Sequence, residues 1–409
     1  MFSLKNVINS LLLFSIFFQA VGFIPGSDTQ PAFFLLGILT LVFTIRSTTY
    51  CAYSLITVCI VLGFLFISFL VHVEFIDFSF VATYLVAVLL PFIIFTLLQN
   101  DYLVVDERFI LKVALVYSFV GFIQLFVPDF LSFLVTRSEE AALSFSDSGR
   151  GVRSLTGEPQ YLGKIYILLN ILYLFLITQA DNIRGYELKR KIAIMSVAFF
   201  ILNVILARSF YSMTMHLLVL GSILFFYNKY FLVKGVCVLA AIVWIVYKLD
   251  MSAMGIRIID IAYILAYNPE AILQQGAMKR VMNISLSLNS LELFGIFGAG
   301  NNPATYYTSI STPIGTLYYV VGNRGFGGVV EFIMKFGVLS TPFIAVYCYF
   351  LYSISTRVVS HGPKKYRLGM LFSILLFIIS FQDGSPAKPL VVFVVMYIFV
   401  KLRYREHHL

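Results

Sequence analysis

An arginine and a glutamate five positions apart open the stretch "RSLTGEPQYLG", Arg153 to Gly163, immediately ahead of a long apolar run. A guanidinium is a planar fork of donors suited to phosphate oxygens, and it keeps its charge at any physiological pH. Glu158 precedes Pro159, which favours extended backbone at the glutamate. A carboxylate fixed there and partly desolvated can take a proton from a hydroxyl or orient it. It can also simply pair with Arg153. Three more arginines stand in comparable places. Arg208, in "VILARSFYSM", falls at a tight turn between two apolar runs, where it either snorkels to lipid phosphate or binds a ligand. Arg280 and Arg324 each lie in or beside a Gly-, Asn- or Pro-containing turn next to an expected helix.

The elements that must hold these residues are set by composition. Of 409 residues, 60% are hydrophobic and 12% charged, with 42 Phe and 25 Tyr, and the mean hydropathy is +0.92. Such a chain has too little polar surface for a soluble globule of its size. It reads as an all-α polytopic integral membrane protein, with one transmembrane domain over 1–409. Apolar runs near 7–24, 32–45, 51–71, 78–98, 109–127, 161–178, 192–207, 211–227, 232–249, 328–353, 368–381 and 389–401 predict about twelve transmembrane helices. The first run, Val7 to Ile24, lacks a small-residue cleavage site and is expected to stay as a helix. Cys51, Cys59, Cys237 and Cys348 fall inside apolar runs without CxxC spacing, so they read as core residues rather than disulfide or zinc ligands.

With Lys5 placed in the cytoplasm and the runs alternating, the short basic clusters fall on the same side: Arg46, Arg108 and Lys112, Lys189 to Lys191, Lys229 and Lys234, Lys364 to Arg367, and Lys401 to Arg405. Both termini are therefore expected to be cytoplasmic, and the net charge of +9 is largely topology rather than a nucleic-acid surface. Two outside segments, 128–160 and 250–327, are too long for simple connections and should carry structure of their own, including short helices. In the second, Asn268, Pro269 and Glu270 predict the start of a helix lying along the membrane surface. "GIFGAGNNP", Gly295 to Pro303, predicts the turn that ends it. The glycine runs lack the strand–turn–helix context of a nucleotide site. His72 and His216 have no ligand spacing, and no D-x-D pair occurs in the outside loops, so no metal site is expected.

The order Arg…Thr-Gly…Glu-Pro-x-x-x-Gly ahead of a helix, here Arg153, Thr156, Gly157, Glu158, Pro159 and Gly163, resembles the Wzy-type O-antigen and polysaccharide polymerases. The lone outside Arg208 is similar to that family too. So is Arg280 ahead of "LFGIFGAGNNP", and so is "NRGFGGVVEFIMKFGVL", Asn323 to Leu339, which looks like the stretch closing the family's second loop. The resemblance covers 150–340 in patches.

It implies a C-class glycosyltransferase fold with two large periplasmic loops in a Gram-negative inner membrane. The implied donor is a growing glycan on undecaprenyl pyrophosphate, and the acceptor is one lipid-linked repeat unit. The donor chain passes to the acceptor's non-reducing end, with no metal or cofactor; membrane lipids and a chain-length regulator are the implied partners. Arg153, Arg208, Arg280 and Arg324 are then expected to bind pyrophosphate, Glu158 to act as base or hydroxyl-orienting group, and Tyr161, Asn301 and Asn302 to contact sugar. The related O-antigen ligases carry an essential histidine early in the stretch closing the second loop. No histidine occurs in 301–340, which favours a polymerase. A lipid-linked oligosaccharide flippase or other transporter is expected to line a central path with charges, whereas here the unexplained charges gather on one face.

Overall fold

The structure, a computed structural model, describes residues 4–22, 31–75, 78–135, 151–179, 186–227, 296–300, 306–312, 315–321, 328–360, 374–376 and 388–404. The expected helices at 232–249 and after Asn268 lie outside the described residues, as do Arg280, Asn301, Asn302 and Arg324. Most of the expected helix at 368–381 does too. The described helices are α1 (Leu4–Phe17), α2 (Ala32–Phe43), α3 (Ala52–Val71), α4 (Phe78–Gln99), α5 (Glu107–Gln124), α6 (Pro159–Gln179), α7 (Tyr186–Leu202), α8 (Phe210–Tyr227), α9 (Gly328–Phe336), α10 (Thr341–Ser360) and α11 (Pro389–Tyr404). Among the described residues, five stretches are long and apolar enough to cross a membrane: Ala52–Val71, Val81–Gln99, Pro159–Thr178, Arg190–Ala207 and Phe332–Ile354. At 1.5 Å per residue, the 20 residues of α3 reach about 30 Å, the thickness of the hydrocarbon layer.

The core centres on α6, which packs against α5, α7, α8 and α11, while α4 packs against α2, α3 and α11. Most of α6 is buried, whereas most of α3 faces outward, as the apolar faces of peripheral membrane helices do. At one end of the bundle, amide side chains tie the turns together. Asn100 Oδ1 accepts from Thr49 N and Oγ1, each at 2.9 Å, and Asn9 exchanges hydrogen bonds with the Val104 backbone at 3.0 and 3.2 Å. Asp106 caps α5 by accepting from Phe109 N at 2.7 Å. The start of α1 and the later part of α11 meet at this face, since Tyr397 donates to Val105 O at 3.2 Å.

Several sequence expectations are corrected. The first apolar run is helical only to Phe17, after which Val21 forms an isolated bridge with Val135. Among the described residues of the first outside segment, the helical structure is a 3-10 turn, Ser132–Leu134. Within the second, the described residues include a hairpin rather than helix alone: β1 (Tyr306–Thr312) pairs antiparallel with β2 (Gly315–Val321), and Thr312 faces Gly315. Their Tyr, Thr, Ile and Val content favours strand over helix. Cys59 and Cys348 face outward rather than into the core.

The run at 328–353 is not one helix. It breaks at Gly337, where φ is +51°, into α9, a 3-10 turn and α10. The "IFGAG" segment, Ile296 to Gly300, caps the break. Ala299 N and Gly300 N donate to Met334 O and Lys335 O at 2.9 Å, and Val338 N donates to Ile296 O at 2.9 Å, so carbonyls left open at the end of α9 are satisfied. His72, at the end of α3, bonds Phe297 O at 2.9 Å through Nε2. A side chain at Gly337 would collide with the Ile296 carbonyl. Gly337→Ala should therefore lower stability by about 1–2 kcal/mol or more, read as a lower melting temperature in detergent. Gly63→Ala, which meets nothing within 4 Å, should leave it unchanged or slightly raised. Equal melting temperatures for the two variants would refute the role given to the Gly337 break.

Candidate functional site

At the opposite end of the bundle, the 151–158 turn is held from three sides. Ser154 adopts a left-handed conformation, φ +52°, which ordinarily costs a non-glycine residue about 1–2 kcal/mol. Gln124, on the last turn of α5, compensates by reading both of its backbone groups. Its Oε1 accepts from Ser154 N at 2.7 Å, and its Nε2 donates to Ser154 O at 3.2 Å and Phe130 O at 2.8 Å. Ser154 Oγ donates to Tyr117 O at 2.7 Å. Thr156 closes the turn, its hydroxyl shared between Arg153 O at 2.6 Å and Glu158 O at 2.8 Å.

The third side is the segment after α7. Residues Asn203–Ala207 form a π turn that ends at Arg208 in a left-handed conformation, φ +46°. Val152 N donates to Leu206 O at 2.7 Å, and Gly151 sits so close that any side chain there would strike the Leu206 carbonyl. The two segments carrying Arg153 and Arg208 are thus adjacent. Arg208 Nε also donates to Ile205 O at 3.2 Å, so part of its donor fork serves its own turn.

The π turn is fixed in turn by a buried polar network. Asn203 takes Ser212 Oγ on its oxygen at 2.9 Å and gives its Nδ2 to Ser212 O at 3.2 Å, which makes it the donor to His216 Nδ1 at 3.1 Å. On the other side of the ring, Asn170 Nδ2 lies 3.1 Å from His216 Nε2, and Asn170 Oδ1 accepts from Ser196 Oγ at 3.1 Å. Gly163 lets α6 approach this network, for a side chain would overlap Ser212. The histidine that lacks ligand spacing is structural.

The turn and the start of α6 carry charged side chains. Arg153 is buried, 2% exposed. Glu158 is partly exposed at the start of α6, with Pro159 at the first helical position; its carbonyl accepts from Tyr161 N at 3.0 Å, and its carboxylate from Gln160 Nε2 at 2.7 Å. Tyr161, one turn along, is flanked by two lysines. Lys164 Nζ lies 5.2 Å and Lys388 Nζ 3.8 Å from the ring centroid, and the two residues are 7% and 6% exposed.

Lys388 immediately precedes α11 and was not among the sequence candidates; its signal was a cation at the outside end of an apolar run, where the positive-inside rule does not place one. Gln124 was missed as well, although an amide inside an apolar helix is itself a sign of a polar task. Two ammonium groups no more than about 9 Å apart repel each other by at least about 2 kcal/mol at an effective dielectric of about 20. Cation–π contacts offset part of that repulsion. Among the described residues, no group of three or more His, Cys, Asp or Glu could hold a metal.

A scan against protein-family models gives no match for this chain, and a search of curated proteins gives none either.

Because Gln124 alone satisfies the buried Ser154 N–H from α5, Gln124→Leu should destabilise the protein by about 1–3 kcal/mol through an unmet buried donor. A thermal melt of the detergent-solubilised variant reads this directly. An unchanged melting temperature would show that the turn does not depend on Gln124.

Proposed function

We propose that this protein is a metal-independent membrane glycosyltransferase that polymerises a surface glycan. It moves a growing chain from undecaprenyl pyrophosphate to the non-reducing end of a lipid-linked repeat unit, on the periplasmic face of a bacterial inner membrane. The observation that carries this reading is the pair of buried lysines, Lys164 and Lys388, on the ring of Tyr161, three residues after Glu158 at the start of α6, with Arg153 buried in the turn that leads into it. Buried cations that converge at a membrane mouth suit a lipid-linked, multiply charged anion. The family resemblance of the Arg153–Gly163 stretch points the same way.

The chemistry asks little more of the protein. The sugar–pyrophosphate bond is already activated, and when it breaks the pyrophosphate leaves with the electron pair. The acceptor hydroxyl oxygen forms the new glycosidic bond, and its proton passes to the Glu158 carboxylate. Catalysis then consists of neutralising the leaving group and aligning the hydroxyl. In this scheme Arg153 and Lys388 hold the pyrophosphate, with Arg208, Arg280 and Arg324 completing its charge shell. Tyr161, Asn301 and Asn302 contact sugar.

Purified protein supplied with lipid-linked repeat unit in detergent and EDTA tests the scheme. Arg153→Ala and Lys388→Ala should each abolish polymer while leaving expression and melting behaviour near those of the parent. Lysine should rescue Arg153 poorly, because a point charge does not reproduce the fork. Glu158→Gln keeps shape but loses the proton acceptor, so turnover should fall by roughly 10²–10⁴. Full polymer from both cation variants would end the pyrophosphate assignment. Near-normal polymer from Glu158→Gln would remove the base.

A further inference from the structure

One large cavity lies away from the turn and reaches it only at Lys388. Its volume is about 690 Å³, and it is enclosed by α3, α4, α10 and α11. On two of these helices the lining residues fall in single stripes: Ser54, Thr57, Val58 and Val61 on α3, and Val391, Val392, Val395, Met396 and Phe399 on α11. Spacings of three and four keep each set on one face. The α11 stripe from Val391 to Phe399 alone runs about 12 Å along the helix axis. The space is therefore elongated along the bundle and mostly apolar, with Pro91 of α4 in one wall. Tyr53 and Tyr349, 81% and 61% exposed, belong to its lining, so it opens to the surroundings. Among the described residues, Lys388 is the one charged residue in that lining.

An elongated apolar cavity with a cation at one end matches a single-tailed amphiphile with an anionic head. We propose that this cavity holds the isoprenoid tail of a polyprenyl phosphate or pyrophosphate, laid between α4 and α11 with its phosphate at Lys388. The choice of an isoprenoid over a bilayer phospholipid rests on the polymerase reading. The cavity also gives that reading a geometry. Lys388 belongs both to the lining of the tail site and to the cation pair on Tyr161, so a lipid seated here brings its phosphate to the turn that carries Glu158 and Arg153.

The test uses the full-length protein in nanodiscs with two photoreactive probes: undecaprenyl phosphate carrying a diazirine in its tail, and phosphatidylglycerol carrying the same group. The expected result is labelling of α3, α4 or α11 peptides by the isoprenoid probe, competed by unlabelled undecaprenyl phosphate and not by excess phosphatidylglycerol. Filling the cavity with Val395→Trp should cut that labelling by about tenfold or more. Leu115→Trp, on the exposed face of α5, should leave it unchanged. If Val395→Trp does not fold by melting and size exclusion, Val58→Trp, on a partly exposed wall, takes its place.

Lys388→Ala should weaken labelling by the phosphate probe and not by an uncharged polyprenol probe. Equal labelling by both lipids, labelling confined to other helices, or full labelling of a folded tryptophan variant would overturn the inference. Labelling requires no turnover. A protein that labels in the cavity but makes no polymer retires the function and keeps the tail site, and polymer without cavity labelling does the reverse.

Discussion

Gln124 holds both backbone groups of Ser154, and the 151–158 turn depends on that pair of hydrogen bonds. A residue in left-handed conformation persists only where its surroundings over-determine it. Here α5 supplies the amide and the Tyr117 carbonyl, the π turn supplies the Leu206 carbonyl, and Thr156 closes the loop. Release of Ser154 would swing Arg153 away from the start of α6 and take Glu158 with it. Position, not the mere presence of charge, is what this network provides.

The second constraint is dielectric. A cation near the bilayer core costs about 2.5–3.5 kcal/mol on insertion scales, so it is kept there only by partners or a task. Lys164 and Lys388 share the ring of Tyr161, and Lys335 lies over Tyr84 at 5.7 Å on the far side of the helix break. Aromatic faces thus recur beside the buried lysines. Such contacts offset part of the cost of burying a positive charge.

The local part of this arrangement was legible in the sequence, and the long-range part was not. Arg153, Glu158, Tyr161 and Gly163 lie within eleven residues, so their types and spacing alone announced a charged turn before a helix. The long apolar runs likewise announced α3, α4 and α6. Lys388 reaches Tyr161 from more than 220 positions away, and Gln124 reaches Ser154 across 30; no pattern within one segment reports such contacts. The break at Gly337 was hidden for a different reason. Hydropathy is continuous through "FIMKFGVLSTPF", and only the backbone conformation distinguishes a bent pair from one long helix.

The central claim is that the chain joins repeat units rather than carrying them across the membrane or attaching the finished glycan. The surface glycan profile of a strain lacking this gene, resolved on a gel, tests it most directly. A polymerase predicts that the ladder disappears while a band bearing a single repeat remains, because one unit is still exported and attached. Loss of every repeat from the surface, including that single-unit band, would contradict it.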